Sequence, residues 1–418
     1  MKKQEALYKY FGHTSFRPAQ ETLIDALLAG RDVMGVMPTG AGKSLCFQIP
    51  ALLSEGVTFV ISPLISLMKD QVNQLRAGKV PAAFINSSLT KEQYQLVLDR
   101  TVAGMYKIIY VAPERLETVD FLMFATEMPV SLIAIDEAHC VSQWGQDFRP
   151  SYLRIKNFIE KLSPRPAIGA FTATATKHVK RDIVELLGLR DPLNLTTGFD
   201  RPNLYFGVEQ PKNKSAFFHE YVNDRKEHTG VVYCATRRAV DSVSAELCRR
   251  GISASRYHAG LDAEERRRNQ DDFIQNRIKV MVATNAFGMG IDKPDVRYVV
   301  HYNLPKNLES YYQEAGRAGR DGQPSECILL FATEDIRVAE YLTQDSGQNP
   351  LLTEHKRSKV RHLDQERLDK MIRYCEIDSC LRAYILKYFG EKQKGRCHNC
   401  SSCNRPRWWE KFKTTQTV

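Results

Sequence analysis

Residues 39–44, Thr-Gly-Ala-Gly-Lys-Ser, follow the apolar run 33–37 after Pro38 and precede a helical pattern. That order suits phosphate: glycines let backbone N–H groups wrap around its oxygens, and the next helix presents its positive end. Thr39, Gly40 and Gly42 are expected to form the cradle, with Lys43 reaching the β- and γ-phosphates of ATP and the Ser44 hydroxyl ligating Mg²⁺. The general consensus has a glycine where this chain has Met37. Asp136-Glu137-Ala138-His139 closes a second apolar run, 132–135. An aspartate there holds Mg²⁺, often through water, and the adjacent glutamate polarises an attacking water as general base. A third group, Gln313-Glu314-Ala315-Gly316-Arg317-Ala318-Gly319-Arg320, carries two arginines spaced to share one helix face. Delivered across a cleft, one of them would neutralise charge on the γ-phosphate, a device that contributes about 10³–10⁵ in rate in GTPases. Taken alone, that run is an ordinary basic helix.

A different chemistry gathers near the end. Cys397, Cys400 and Cys403 repeat at two-residue spacings, which let tight turns aim neighbouring sulfurs at one ion. With Cys380 they supply four thiolates for a closed tetrahedral Zn²⁺ site of structural type, and Cys375 and His398 compete for the fourth place. Cys46, Cys140, Cys234, Cys248 and Cys327 are scattered singly and read as small core residues.

These residues need elements to position them. Runs 57–62, 107–112, 132–136 and 167–172 are Val- and Ile-rich and read as buried parallel strands, alternating with helical patterns such as 66–75 and 177–187. Around 193–203 the rhythm lapses between Pro192 and Pro202, as a linker would. It restarts with strands at 230–234, 278–283, 297–301 and 326–331. A helix over 237–250 lies between Thr236 as N-cap and Gly251, and another opens at Asp262 with Glu265 three residues on. The pattern predicts an α/β chain of two tandem parallel-sheet lobes. A turn-rich stretch, 346–351, then leads through a charged helix, 354–374, to the cysteines. The 418 residues suffice for two or three domains, and their net charge of +10 favours polyanionic partners, nucleic acid first. No apolar run is long enough to span a bilayer, and the first residues lack a secretion-type apolar segment, so a cytoplasmic protein with no membrane partner is expected, nucleoid-associated if bacterial.

In this order, the residues resemble a superfamily 2 helicase core, narrowing to the RecQ family of ATP-dependent DNA helicases, over roughly residues 5 to 405. Met37 marks the helicase-type form of the phosphate loop. Phe16-Arg17-Pro18-Ala19-Gln20 resembles the adenine-reading motif, which implies that Gln20 reads the adenine edge, Arg17 supports it and His13 stacks. Residues 62–71 and 112–116 resemble strand-tracking motifs, 171–175 the segment coupling the ATP site to nucleic acid, and 283–294 a specific second-lobe motif. The most diagnostic stretch, 142–150, resembles an aromatic-rich loop that senses single-stranded DNA. Trp144 and Phe148 can stack on bases at about 1–3 kcal/mol each, and Arg149 can pair with phosphate or an acid. Gln146 stands where the family usually has histidine, which removes a titratable group from that loop.

The resemblance implies RecA-like lobes at 1–197 and 198–345, a helical zinc-binding module at 346–406 that uses Cys380, and a tail, 407–418, that could begin a winged helix. It places Lys43, Asp136, Glu137, His139, Gln313, Arg317 and Arg320 in the catalytic set, with Arg320 brought to the γ-phosphate. It further implies ATP, Mg²⁺ and Zn²⁺ as cofactors, 3′–5′ unwinding in DNA repair and recombination, single-stranded and duplex DNA as partners, contacts with single-strand-binding and recombination proteins, and a monomer. Gln146 and the short sequence after Cys403 motivate an alternative, a scaffold that anneals strands without hydrolysis; an RNA-acting DEAH-type helicase is a second.

Overall fold

The computed structural model describes residues 1–142, 148–288, 293–346, 354–393 and 395–404. Two compact units divide the described chain between Gly198 and Phe199. The first unit is built on seven strands, β1 (Val33–Val36), β2 (Val57–Ile61), β3 (Ala82–Ile85), β4 (Ile108–Val111), β5 (Val130–Ile135), β6 (Ala167–Thr172) and β7 (Leu193–Thr196). They lie in the order β3-β4-β2-β5-β6-β1-β7, and every pairing is parallel. Strands β1, β2, β4 and β6 are buried at every position, which is why they read as unbroken apolar runs. Helix Leu45–Leu53 leaves β1 and the chain re-enters the sheet at β2, beyond β6 and β5. A topological switch of this kind opens a crevice at the carboxyl ends of the strands, where open α/β sheets bind ligands.

Phe171 locks that crevice from below. Its ring packs against Phe47 of the following helix at 5.5 Å between centroids. It fits because β1 and β6 carry glycine beside it: a Cβ on Gly35 would lie 2.9 Å from the ring, and one on Gly169 2.7 Å. Phosphate-loop helix, β1 and the 171–175 segment are thereby fixed to one another.

The second unit holds β8 (Leu204–Glu209), β9 (Thr229–Tyr233), β10 (Ala254–Tyr257), β11 (Val280–Ala283), β12 (Val296–His301) and β13 (Ser325–Leu330), in the order β10-β11-β9-β12-β13-β8 and again all parallel. Thr236 caps helix Arg237–Arg249, and Asp262 caps helix Ala263–Ile274. Helices Glu354–Glu376 and Leu381–Tyr388 then lead to the cysteine turns, which return to β8, the outer strand of the sheet: Cys400 bridges Phe206 in parallel and the Ser401 N–H donates to the Phe206 carbonyl at 2.8 Å. An exposed outer strand invites pairing with other chains. Here the cysteine turns cover part of it. Among the described residues no helix is long and apolar enough to cross a membrane.

The structure corrects the sequence reading in three places. Leu193–Thr196, taken as linker, is β7, paired with β1; it is half-exposed at the sheet edge, so it lacks the continuous apolar signature. Cys248 is exposed on its helix, whereas Cys46, Cys140, Cys234 and Cys327 are buried. The helix expected to carry both arginines stops at Ala315, leaving Arg317 and Arg320 in turns. Gly316 and Gly319 weaken helix propensity there, and Gly319 has a φ of 55°.

Candidate functional site

The phosphate loop joins β1 to helix Leu45–Leu53, with Ser44 as the helix N-cap. Gly40 and Gly42 take φ values of 84° and 77°, a left-handed region that glycine enters without cost. A Cβ on Gly42 would fall 2.2 Å from the Gln20 amide nitrogen. Gln20 is buried and donates to the carbonyls of Ala41 at 3.3 Å and Gly42 at 3.0 Å, while its Oε1 accepts from the Arg17 N–H at 2.9 Å. The Arg17 guanidinium donates to the Gly40 carbonyl at 2.8 Å. The two residues expected at the adenine edge thus brace the loop itself, and His13 lies exposed nearby in sequence.

Asp136 and Glu137 follow β5 and are buried. Lys43 Nζ sits 2.8 Å from Asp136 Oδ1 and 3.1 Å from Glu137 Oε1, so both carboxylates converge on one cation. Burial alone would lower the Lys43 pKa, but the two carboxylates outweigh it and hold the ammonium above its ordinary value. Burial likewise works against Glu137 ionisation, yet Lys43 and His139 win and keep its carboxyl well below the usual range. Asp136 goes the other way: burial, helped by the Glu137 charge, lifts it despite Lys43. Glu137 also takes a φ of 48°, a left-handed conformation that costs a non-glycine residue about 1–2 kcal/mol. Strain of this kind collects where a side chain must be aimed.

His139, 1% exposed, ties this pair to the 171–175 segment. Its Nδ1 lies 2.9 Å from Thr172 Oγ1 and 3.3 Å from Glu137 Oε2. The Thr172 hydroxyl donates to the Thr174 carbonyl at 3.1 Å, so it accepts from the ring, and Nδ1 carries the hydrogen. Burial would lower the His139 pKa, but the Cys140 sulfur and Glu137 raise it to about 10. Two contacts that the sequence did not announce complete the frame. Tyr152 donates to the Asp136 carbonyl at 2.9 Å, and Arg149 donates to the Pro63 carbonyl at 2.7 Å, joining the aromatic-rich loop to the 62–71 motif. Phe148 is half-buried; Trp144 and Gln146 lie outside the described residues.

In the second unit Arg317 is buried and its guanidinium donates to the Gly288 carbonyl, whereas Gln313 and Arg320 are half-buried. The thiols of Cys380, Cys397, Cys400 and Cys403 all lie within 4.8 Å of one another. Tetrahedral Zn–S bonds of 2.3 Å put sulfurs about 3.8 Å apart, so the cluster fits Zn²⁺. Cys375 is buried outside the cluster, and His398 is exposed. Ser44 and Asp136, the residues expected at Mg²⁺, lie at the ends of the loop and of β5, and the seating of Lys43 between the two carboxylates shows that this pocket suits a cation.

Comparison with known proteins finds three family models along the chain. Residues 17–182 match the DEAD/DEAH box helicase family, 213–322 the helicase conserved C-terminal domain and 333–404 the RecQ zinc-binding family. The chain is 45% identical to the ATP-dependent DNA helicase RecQ of Bacillus subtilis over 97% of its own length and 67% of that protein's. With the Haemophilus influenzae protein of the same name it shares 42% over 96% of this chain and 63% of that one. It therefore spans about two thirds of the length of these relatives. In fold it resembles Mss116p bound to single-stranded RNA and AMP-PNP (TM-score 0.68, 17% identity, 93% of this chain, 88% of that one). It also resembles the Mycobacterium smegmatis helicase Lhr bound to single-stranded DNA and AMP-PNP (TM-score 0.65, 17% identity, 90% of this chain, 57% of that one).

Proposed function

The chain belongs to the RecQ family of ATP-dependent DNA helicases, and on that premise we propose that it hydrolyses ATP on single-stranded DNA, moves 3′ to 5′ and unwinds duplex. The observation that carries this reading is the continuous path from Lys43 through Glu137 and His139 to Thr172, which joins the phosphate loop to the segment expected to answer nucleic acid. Lys43 binds the β- and γ-phosphates, and Ser44 with Asp136 holds Mg²⁺. When bound, that ion neutralises charge on the β- and γ-oxygens. Glu137, buried beside Lys43 and His139, orients and polarises the attacking water as general base. Gln20 and Arg17 transmit occupancy of the adenine pocket to the loop carbonyls they hold. Arg320 neutralises γ-phosphate charge in the transition state, while Arg317, already engaged at Gly288, shapes the turn beside it. Phe148 and Arg149, with Trp144, answer single-stranded DNA. Repair and recombination are the setting, with single-strand-binding proteins as partners and a monomer as the working form.

The ATPase rate in the presence of single-stranded DNA, duplex DNA and RNA tests the substrate class. Single-stranded DNA should stimulate most. RNA outperforming it would replace this reading by an RNA-acting helicase.

A further inference from the structure

Arg317 and Arg320 sit in a glycine-containing turn, which by itself would hold neither guanidinium in place. What braces the turn is a second arginine pair, Arg201 and Arg382, of which the sequence marks only Arg382, in the Cys-Leu-Arg that opens at Cys380. The Arg201 guanidinium donates to three of its carbonyls: Gly316 at 3.3 Å, Ala318 at 3.0 Å and Gly319 at 2.8 Å. Asn203 adds a bond to Gly319 at 2.9 Å. Arg201 is in turn held by the cysteine module. Arg382, 4% exposed and two residues after Cys380, donates to the Arg201 carbonyl at 2.7 Å and to Asp200 Oδ1 at 2.6 Å, and also reaches the Leu204 carbonyl. Asn399, beside Cys400, donates to the carbonyls of Pro202 at 2.9 Å and Leu204 at 3.0 Å.

We propose that Arg201, held by Arg382 of the zinc module, is a positioning residue that sets the Arg317–Arg320 turn for ATP hydrolysis. The inference rests on the reading of Arg320 as the γ-phosphate arginine. A planar fork with five donors can bridge three carbonyls at once; a lysine ammonium keeps the charge but not that geometry. Misplacing a catalytic group by about 1 Å costs on the order of 10² in rate. The module would thereby act on turnover through the backbone, besides covering β8.

The test compares Arg201→Lys, Arg382→Gln, Arg320→Ala and the double variant R201K/R320A for DNA-stimulated ATPase. Melting temperature, zinc content and single-stranded DNA affinity are measured alongside. Arg201→Lys should lower kcat on the order of 10²-fold with the KM for ATP, DNA affinity and melting temperature unchanged. Arg382→Gln, which leaves Arg201 in place, should lower kcat likewise with the KM for ATP and the zinc content unchanged, and should lower the melting temperature through its lost buried bonds. The double variant should be no slower than Arg320→Ala, because both changes remove one action. Full kcat in Arg201→Lys, a multiplicative loss in the double variant, or a kcat loss accompanied by a raised KM or lowered melting temperature in Arg201→Lys would overturn the proposal. If Arg320→Ala itself retains full turnover, the underlying reading of Arg320 fails instead, whatever Arg201→Lys does.

Discussion

Replacing Lys43 by alanine should remove DNA-stimulated ATP hydrolysis, lowering kcat by at least about 10²–10³, the usual loss when one pre-organised transition-state donor is deleted. The effect is large because Lys43 has two tasks in this structure. It is the cation on which Asp136 and Glu137 converge, at 2.8 and 3.1 Å, and it is the group placed to meet the phosphates. Without it two buried carboxylates face each other, and one must take up a proton. The pH response of Glu137 then changes sign, while Asp136, already lifted in the parent, keeps its own. In the parent protein the Glu137 pKa is depressed, so its contribution to stability is present above the ordinary value of 4.5 and lost as pH falls. In Lys43→Ala a carboxylate with a raised pKa contributes stability that is lost as pH rises. Melting curves across acidic to neutral pH should therefore show the variant gaining on the parent toward low pH. An Lys43→Ala protein that still hydrolyses ATP at the parent rate with DNA present would remove the phosphate-site assignment.

The second large effect concerns zinc. Cys400→Ser should lose the bound metal, and with it the ordered return of the chain to β8. Structural zinc contributes about 10–16 kcal/mol to folding in zinc-finger peptides, far more than any single contact here could supply. The Phe206 N–H donates to the Asn399 carbonyl at 3.5 Å and the Val208 N–H to the Ser401 hydroxyl at 3.2 Å. Those amides should exchange with solvent much faster in Cys400→Ser, whereas amides of the central strand β9 stay protected. With the edge uncovered, association through β8 should follow. Cys375→Ser, outside the cluster, should keep one zinc per chain by elemental analysis. A Cys400→Ser protein retaining that metal would show that the ligand set is wrong.

Both effects rest on residues that the sequence made legible, because short-range chemistry fixed their spacing. The loop at 39–44 needs glycines before a lysine, the carboxylates need the end of a strand, and the thiolates need tight turns. Strands buried on both faces were legible for the same reason. What the sequence hid lay at edges and across long separations. β7 alternates half-buried and exposed residues and so resembles a linker. Nothing local shows that the Gln20 amide also braces the loop carbonyls, and nothing local pairs Arg382 with Arg201, far away in sequence. Glycine propensity was legible too, but the spacing of Arg317 and Arg320 suggested a helix face that Gly316 does not sustain.

The most direct measurement of the central claim is strand displacement on duplexes carrying a 3′ or a 5′ single-stranded tail, with and without ATP and with Lys43→Ala as control. The account predicts displacement of the 3′-tailed duplex only, dependent on ATP and absent in Lys43→Ala. Displacement from the 5′ tail alone, or strand pairing that proceeds equally without ATP and in Lys43→Ala, would contradict it.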